Sequence, residues 1–360
     1  MKIALFSDLH AHPFKNGTID EHGRNSRVED AVSVIRQVYT EGVKRGVDYV
    51  LFGGDLFDRR KSIDVDTYNR IHEVISTQSL SIPTYMIPGN HDQANKSGTI
   101  HALQRFQTES CFIFQEPQWV KLNSDTALFG VPYYDDGELI AQYIVKGLEQ
   151  KPKGVSKTIL LMHYGIAGAK IGPSDYVLPC ELSVDMLKPD KWDIIFGGHY
   201  HIGQQLGEKF NYIGSAMQHR WDDAGFEKSF VILDTSNWSM ERVPTVAPRF
   251  VVFEDLENFD LLDVRNCFVR VVLSSSPSDD VKDMVFTTFT EAGALSLEFR
   301  ITPPDVDEDS PERIEFKEGK GVGGVLEDYI KSDVVDTKGF DVDKLLQIGK
   351  AIIQEATHDH

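Results

Sequence analysis

Cysteine is scarce: Cys111, Cys180 and Cys267 are the three in a chain of 360 residues, and they lie far apart. That spacing argues against a disulfide framework or a zinc knuckle and suits buried thiols in a reducing cytoplasm. No run of about 18 apolar residues occurs, so no membrane-spanning helix is expected. The opening Met1-Lys2-Ile3-Ala4-Leu5-Phe6-Ser7-Asp8 has too short an apolar stretch for a signal peptide and no small-residue cleavage site. It reads as a first core strand. Positive charge is also short: 37 Lys and Arg stand against 56 Asp and Glu, a net charge of −19. A stand-alone basic surface for gripping nucleic acid is therefore disfavoured, because sequence-independent affinity comes from neutralising phosphates with Lys and Arg. A metal-dependent enzyme acting on phosphate is less affected, since ions or a partner can supply the missing charge.

What is present is an α/β pattern with 41% hydrophobic residues. Strands are expected at Ile3–Phe6, Tyr49–Phe52, Thr84–Ile87, Ala127–Val131, Thr158–Met162, Ile194–Phe196, Phe210–Ile213 and Phe230–Leu233. A helix between the first two carries Val28, Ala31, Ile35 and Val38 on one stripe and ends at Gly46. A second covers roughly Asp64 to Thr77, with Tyr68, Ile71 and Ile75 inward. Pro244 and Pro248 mark a boundary, so residues 1–243 form one large domain. Residues 244–302 form a small α+β domain, with strands at Phe250–Phe253, Phe268–Leu273 and Leu295–Ile301 and a helix near Asp279–Glu291. Residues 303–324 are rich in Pro, Gly and charge and read as a linker. Residues 325–360 form a helical tail: Val325–Ile330 and Leu345–Ile353 are short amphipathic helices. Helices of this size are marginal alone in water. Their apolar faces need either the small domain or a partner's helices to bury against.

Five short motifs carry the chemistry: Asp8-Leu9-His10, Gly53-Gly54-Asp55-Leu56-Phe57-Asp58, Gly89-Asn90-His91-Asp92, Met162-His163 and Gly197-Gly198-His199-Tyr200-His201. At least four follow an expected strand directly. Ligands in α/β sheets gather outside the carboxyl ends of strands, where loops bring distant residues onto one rim. Asp8, His10, Asp55, Asn90, His163, His199 and His201 offer oxygen and imidazole donors with no thiolate. That set suits Mn²⁺, Fe or Zn²⁺ better than a soft metal. Two ions about 3.5–4 Å apart need one bridging carboxylate and several terminal ligands each. Asp55 is the natural bridge; Asp8, His10 and His201 complete one ion, and Asn90, His163 and His199 the other. Such a pair orients a nucleophile for in-line attack on phosphorus and clamps the non-bridging oxygens. His91, beside a ligand, is placed to donate a proton to the leaving alkoxide. Asp58, three residues after the bridge, is expected to orient His91 and favour its charged form. A lone Asp-x-His or His-x-His is weak and Gly-Asn-His-Asp alone is moderately specific; five motifs in this order are very specific.

The set resembles the calcineurin-like metallophosphoesterases, and within them the SbcD and meiotic-recombination-eleven nucleases. The motifs that match span residues 8–201. The resemblance implies a β-sandwich flanked by helices, the seven metal ligands just named, His91 as catalytic histidine and two divalent ions, Mn²⁺ above all. It implies 3′→5′ exonuclease and single-strand endonuclease activity in DNA repair, recombination or end processing. It also implies that the small α+β domain caps the catalytic one, that residues 325–360 bind the coiled coil of an SbcC-type ATPase, and that the chain forms a homodimer. Asp58-Arg59-Arg60 departs from the Asp-Arg-Gly of protein serine/threonine phosphatases. Tyr212-Ile213-Gly214-Ser215 resembles the nuclease branch, whereas Ala216-Met217-Gln218-His219-Arg220 departs from it. A phosphatase or small-molecule phosphodiesterase would share the same core, and the motifs do not separate the two.

Other residues carry weaker signals. Arg24 and Arg27 either contact a substrate phosphate or belong to a solvated loop or helix cap. Tyr133 and Tyr134 either stack on a base or pack in the core. His219 and the remaining histidines read as surface or structural.

Overall fold

The computed structural model describes residues 1–95, 97–172, 180–256, 264–302, 342–347 and 349. It divides into two compact units, Met1–Arg300 and Ile301–His360. The expected linker over 303–324 and the expected helix at Val325–Ile330 lie outside the described residues. In the second unit, residues 342–347 are helical.

The first unit begins with β1 (Lys2–Phe6), α1 (Ser26–Arg45), β2 (Tyr49–Phe52), α2 (Val65–Gln78), β3 (Thr84–Met86), β4 (Cys111–Ile113), β5 (Gln118–Lys121), β6 (Thr126–Val131), α3 (Gly137–Glu149), β7 (Lys157–His163) and β8 (Ile194–Gly198). It continues with β9 (Gln205–Leu206), β10 (Phe210–Tyr212), β11 (Ser229–Asp234), β12 (Ser239–Pro244), β13 (Arg249–Phe253), β14 (Cys267–Leu273), α4 (Asp279–Glu291) and β15 (Ser296–Ile301). Two six-stranded sheets result, ordered β12-β11-β1-β2-β3-β4 and β5-β6-β7-β8-β10-β9. A third, β13-β14-β15, belongs to the small α+β part.

Side chains alternate across a strand, so a strand buried on both faces feeds two cores. Along β1, Ile3 and Leu5 enter a core shared with Leu128, Ile159, Leu161 and Phe196 of the second sheet. Ala4 and Phe6 face the other way, into a core with Ala31, Ile35 and Val38 of α1 and Ile71 and Ile75 of α2. Along β7, Ile159 and Leu161 face the first sheet, while Leu160 and Met162 meet Ile140 and Ile144 of α3. The architecture is thus helix, sheet, sheet, helix, a mixed α/β sandwich.

The helix ends are set locally. Asn25 accepts the N–H of Arg27 to open α1, and Gly46 closes it at φ 66° in the left-handed region. Asp64 caps α2 through the N–H of Thr67. The spacing does not single out α3, which holds Gly147 in its last turn despite glycine's poor helix propensity. The reason is contact: a Cβ there would lie 2.3 Å from the Phe129 ring.

In the small part, Val269 and Val271 of β14 pack with Val285 and Phe289 of α4. On the side of Phe250 and Phe268 the Arg27 guanidinium approaches both rings, at 5.9 and 5.2 Å from their centroids. Arg27 is buried, bonded to Asp30 at 2.9 Å and to the Gln218 carbonyl. It serves packing and is not available to a substrate phosphate.

Candidate metal centre

Strands β1, β2 and β3 run parallel to one another, as do β6, β7 and β8. Their carboxyl ends point to one rim. A parallel bridge between Ser7 and Ser215 ties the two sheets together there. Space at the junction is tight: a Cβ on Gly198 would lie 2.2 Å from the Gly53 carbonyl oxygen, and one on Gly89 2.2 Å from Asp55 Oδ1. Only glycine fits either position.

Four site residues hold left-handed backbone: Asp8 (φ 52°), His10 (44°), Asp55 (59°) and His199 (100°). Such conformations cost non-glycine residues of order 1–3 kcal/mol each, so the surroundings must impose them. Main-chain bonds do so: Asp8 N–H donates to Gly54 O at 2.9 Å, and Leu9 and His10 N–H both donate to Asp55 O. Buried apolar residues beside the donors also pin the loops. Leu9, between Asp8 and His10, sits in the core under α1 and α2; Tyr200, between His199 and His201, sits in the core under α3.

All seven expected donors come together. Asp8, His10 and His201 present ligand atoms within 4.8 Å of one another, and so do Asp55, His163 and His199. Asp55 Oδ2 faces both groups, 3.6 Å from His10 Nε2 and 3.3 Å from His163 Nε2. Its Oδ1 accepts the N–H of His91 at 2.8 Å. Asn90 Oδ1 lies 3.1 Å from His163 Nε2 and 3.0 Å from His199 Nδ1.

The donor chemistry fits cations. His163 Nδ1 lies 2.7 Å from the Gly53 carbonyl, which can only accept, so Nδ1 carries a proton. Its Nε2 then faces two acceptors, Asn90 Oδ1 and Asp55 Oδ2. His10 Nε2 and His201 Nε2 stand 3.1 Å apart. Asp8 Oδ2 is buried with no hydrogen-bond partner. Buried acceptors converging without donors are costly unless a positive charge joins them.

In the metal-free protein a proton partly fills that role. Burial alone would depress His163, but Asp55, Asp8 and the Gly53 carbonyl together outweigh it and hold the imidazole up at about 9. Burial alone would raise Asp55, yet His163, and then His10 and His91, keep it well below the usual carboxylate range. Burial, then the neighbouring His163, pushes His199 down to about 3, and burial keeps His10 well below its ordinary value. Both stay neutral, with a lone pair to offer.

His91 is half-buried beside His10. Its ring stands edge-on to His10, 4.8 Å between centroids. The spacing predicts a carboxylate contact from Asp58 to His91, but the partner of His91 Nδ1 is the main-chain carbonyl of Asp58, at 2.6 Å. The Asp58 side chain turns instead toward His10 Nδ1 (3.9 Å) and Arg59 Nε (3.8 Å). The difference matters for orientation: a carbonyl can only accept, so it fixes a proton on Nδ1 and sets the direction of the ring.

Residues outside the expected ligand set complete the site. Asp92 accepts four main-chain N–H groups, from Leu56 and Phe57 on Oδ1 and from Asp55 and Gly89 on Oδ2, at 2.9–3.1 Å. It staples the loop after β2 to the loop after β3. Burial and Asp55 push this carboxyl up to about 7, against the pull of those N–H donors. His219 Nε2 lies 3.0 Å from the Asp8 carbonyl, and its ring lies 5.2 Å from that of His10. Tyr133 is packed between Tyr164 and His199, with its hydroxyl on Asp135 at 3.1 Å. Tyr134 packs on Tyr143.

A two-sheet α/β sandwich with a candidate dinuclear metal site at its strand ends defines a metallophosphoesterase. The chain belongs to the calcineurin-like phosphoesterase family, whose sequence profile matches residues 1–203. A protein of Invertebrate iridescent virus 3, provisionally named phosphoesterase 078R, is 24% identical over 300 residues, covering 79% of this chain and 83% of its own. The DNA double-strand break repair protein Mre11 of Thermoplasma acidophilum is 24% identical over 273 residues, covering 71% and 68%. Exonuclease subunit 1 of Enterobacteria phage T4 is 23% identical over 347 residues, covering 90% and 94%. No helix among the described residues is long and apolar enough to cross a membrane.

Proposed function

We propose that this chain is a Mn²⁺-dependent DNA nuclease, the catalytic subunit of an SbcC–SbcD-type complex. The observation that carries the hydrolytic part is Asp55 Oδ2, which faces His10 Nε2 and His163 Nε2 and so stands between two donor clusters. Asp8, His10 and His201 would hold one ion, Asn90, His163 and His199 the other, with Asp55 shared. Bound there, two divalent ions supply Lewis acidity toward a phosphodiester and activate water for in-line displacement. The donor set of oxygen and imidazole suits Mn²⁺.

The protein's own part is positioning. The left-handed turns aim Asp8 and His10 while Leu9 anchors in the core between them. His91 gives its Nδ1–H to the Asp58 carbonyl; with a second proton on Nε2 the ring could pass that proton to the leaving oxygen and keep its Nδ1–H in place.

Similarity along nearly the whole length to a phage exonuclease subunit, and over about two thirds to an Mre11 repair protein, supports DNA as substrate over a small phosphomonoester. Residues 325–360 are assigned to a coiled-coil ATPase partner, and 244–302 to a cap on the catalytic domain. The deciding assay supplies Mn²⁺ with single-stranded and hairpin-ended DNA beside a model diester and a model monoester. Cleavage of DNA with release of nucleotides is the expected result. Hydrolysis of the model esters with intact DNA would move the chain to a phosphatase or small-molecule phosphodiesterase. Removal of residues 325–360 should abolish co-purification with the ATPase and leave diester cleavage in place.

A further inference from the structure

The loop between β10 and β11 carries a buried ion pair that no motif marks. Asp223 Oδ1 accepts Lys228 Nζ at 2.6 Å, and Asp223 Oδ2 accepts the main-chain N–H of His219 at 2.9 Å. Both side chains are nearly inaccessible, at 6% and 5% exposure. Lys228 Nζ also donates to the main-chain carbonyl of His201 at 3.1 Å. The same Asp223 Oδ1 faces His201 Nδ1 at 3.7 Å, while His201 Nε2 points the other way, to His10 Nε2.

An imidazole offers a lone pair from only one nitrogen at a time, and the partner of the other nitrogen decides which. A carboxylate facing Nδ1 favours the proton there and leaves Nε2 to the ion. It also raises the basicity of the ligand nitrogen, the usual task of a carboxylate behind a metal-bound histidine. Stability alone does not call for a charged pair in this place, since buried ion pairs seldom outperform apolar packing.

We propose that Asp223, fixed by Lys228, is a positioning residue of the metal centre: it sets the tautomer and direction of His201 toward the ion shared with Asp8 and His10. The inference rests on the dinuclear reading given above. It is tested by Mn²⁺ binding to the full chain, followed by the free-ion electron paramagnetic resonance signal, with melting of the chelated protein as the fold control.

Wild type is expected to bind two ions. Asp223→Asn is expected to bind one of them about 10–100-fold more weakly. Asp223→Asn also strands a buried ammonium, so Asp223→Asn/Lys228→Met serves as the second variant. It restores the melting temperature without restoring the weakened site. Two ions held at wild-type affinity by whichever of these variants melts like wild type would overturn the proposal. Fewer than two ions in wild type itself would defeat the dinuclear reading instead.

Discussion

Asp92 offers a quantitative test of how the two catalytic loops are joined. Its two oxygens accept four main-chain N–H groups, two each. Asp92→Asn keeps the shape but replaces one acceptor oxygen by an NH₂, which sets a donor against two donors. Two buried N–H groups then lose their partner, at about 1–3 kcal/mol each, for a total of about 2–6 kcal/mol. With a urea slope of about 3 kcal/mol/M, the unfolding midpoint should fall by about 0.7–2 M. Chelator must be present in both proteins, because bound metal would add stability of its own. A second readout follows from geometry. The donor N–H groups belong to Asp55 and Gly89 or to Leu56 and Phe57, so a disturbed Asp92 should shift Asp55, the proposed shared ligand. Mn²⁺ binding should weaken along with the midpoint. An Asp92→Asn midpoint equal to wild type would refute the claim that these four bonds hold the loops together.

Replacing His91 by Ala should leave Mn²⁺ stoichiometry intact and slow diester cleavage about 10²–10⁴-fold; cleavage at the wild-type rate would remove the proton-donor role. Asp55→Asn should weaken both ions, seen as loss of stoichiometric Mn²⁺ binding; loss of one ion alone would contradict the shared position. In the chelated protein, the raised His163 pKa contributes stability that is fully present below about 6.5 and lost as pH rises through about 9. The midpoint of chelated protein should fall across that window, and Mn²⁺ affinity should rise across it as the competing proton leaves. Leu9→Ala should cost about 2–5 kcal/mol and weaken Mn²⁺ binding, whereas Ile75→Ala, a buried site on α2, should cost stability without touching affinity. Equal Mn²⁺ affinity in the two variants would show that Leu9 does not anchor its neighbours.

The candidate metal donors were legible because they ride on local patterns. Each sits within a few residues of a strand end, and strand ends follow from apolar runs such as Tyr49–Phe52 and Ile194–Gly198. The weak strands were not legible for the complementary reason. β5 is half-exposed with no clear alternation, β4 has three residues, and β12 is mostly polar and exposed. The supporting residues escape a linear reading altogether. His219 reaches the Asp8 carbonyl across 211 positions, and Asp223 faces a histidine 22 positions earlier through a loop without a motif. Asp58 shows the limit from the other side. Its proximity to His91 follows from spacing, but which of its groups makes the contact depends on backbone direction, which spacing does not encode.

The charge balance constrains how such a site can meet a polyanion. The chain carries −19 overall, and two of its carboxylates, Asp8 and Asp55, are buried at the centre. Two divalent cations would turn that local −2 into +2, in a place shielded from solvent and therefore weakly screened. The attraction for a phosphodiester is then short-ranged and belongs to the ions. A protein that holds DNA through lysines and arginines loses affinity steeply with salt, because each neutralised phosphate releases counterions. A chain of net charge −19 gains little from that contribution as a whole, whereas two bound ions would act on a phosphate locally. If DNA is the substrate, as proposed above, this charge balance predicts that the chain alone cleaves short model esters and that its cleavage of long DNA rises when a cationic partner is added.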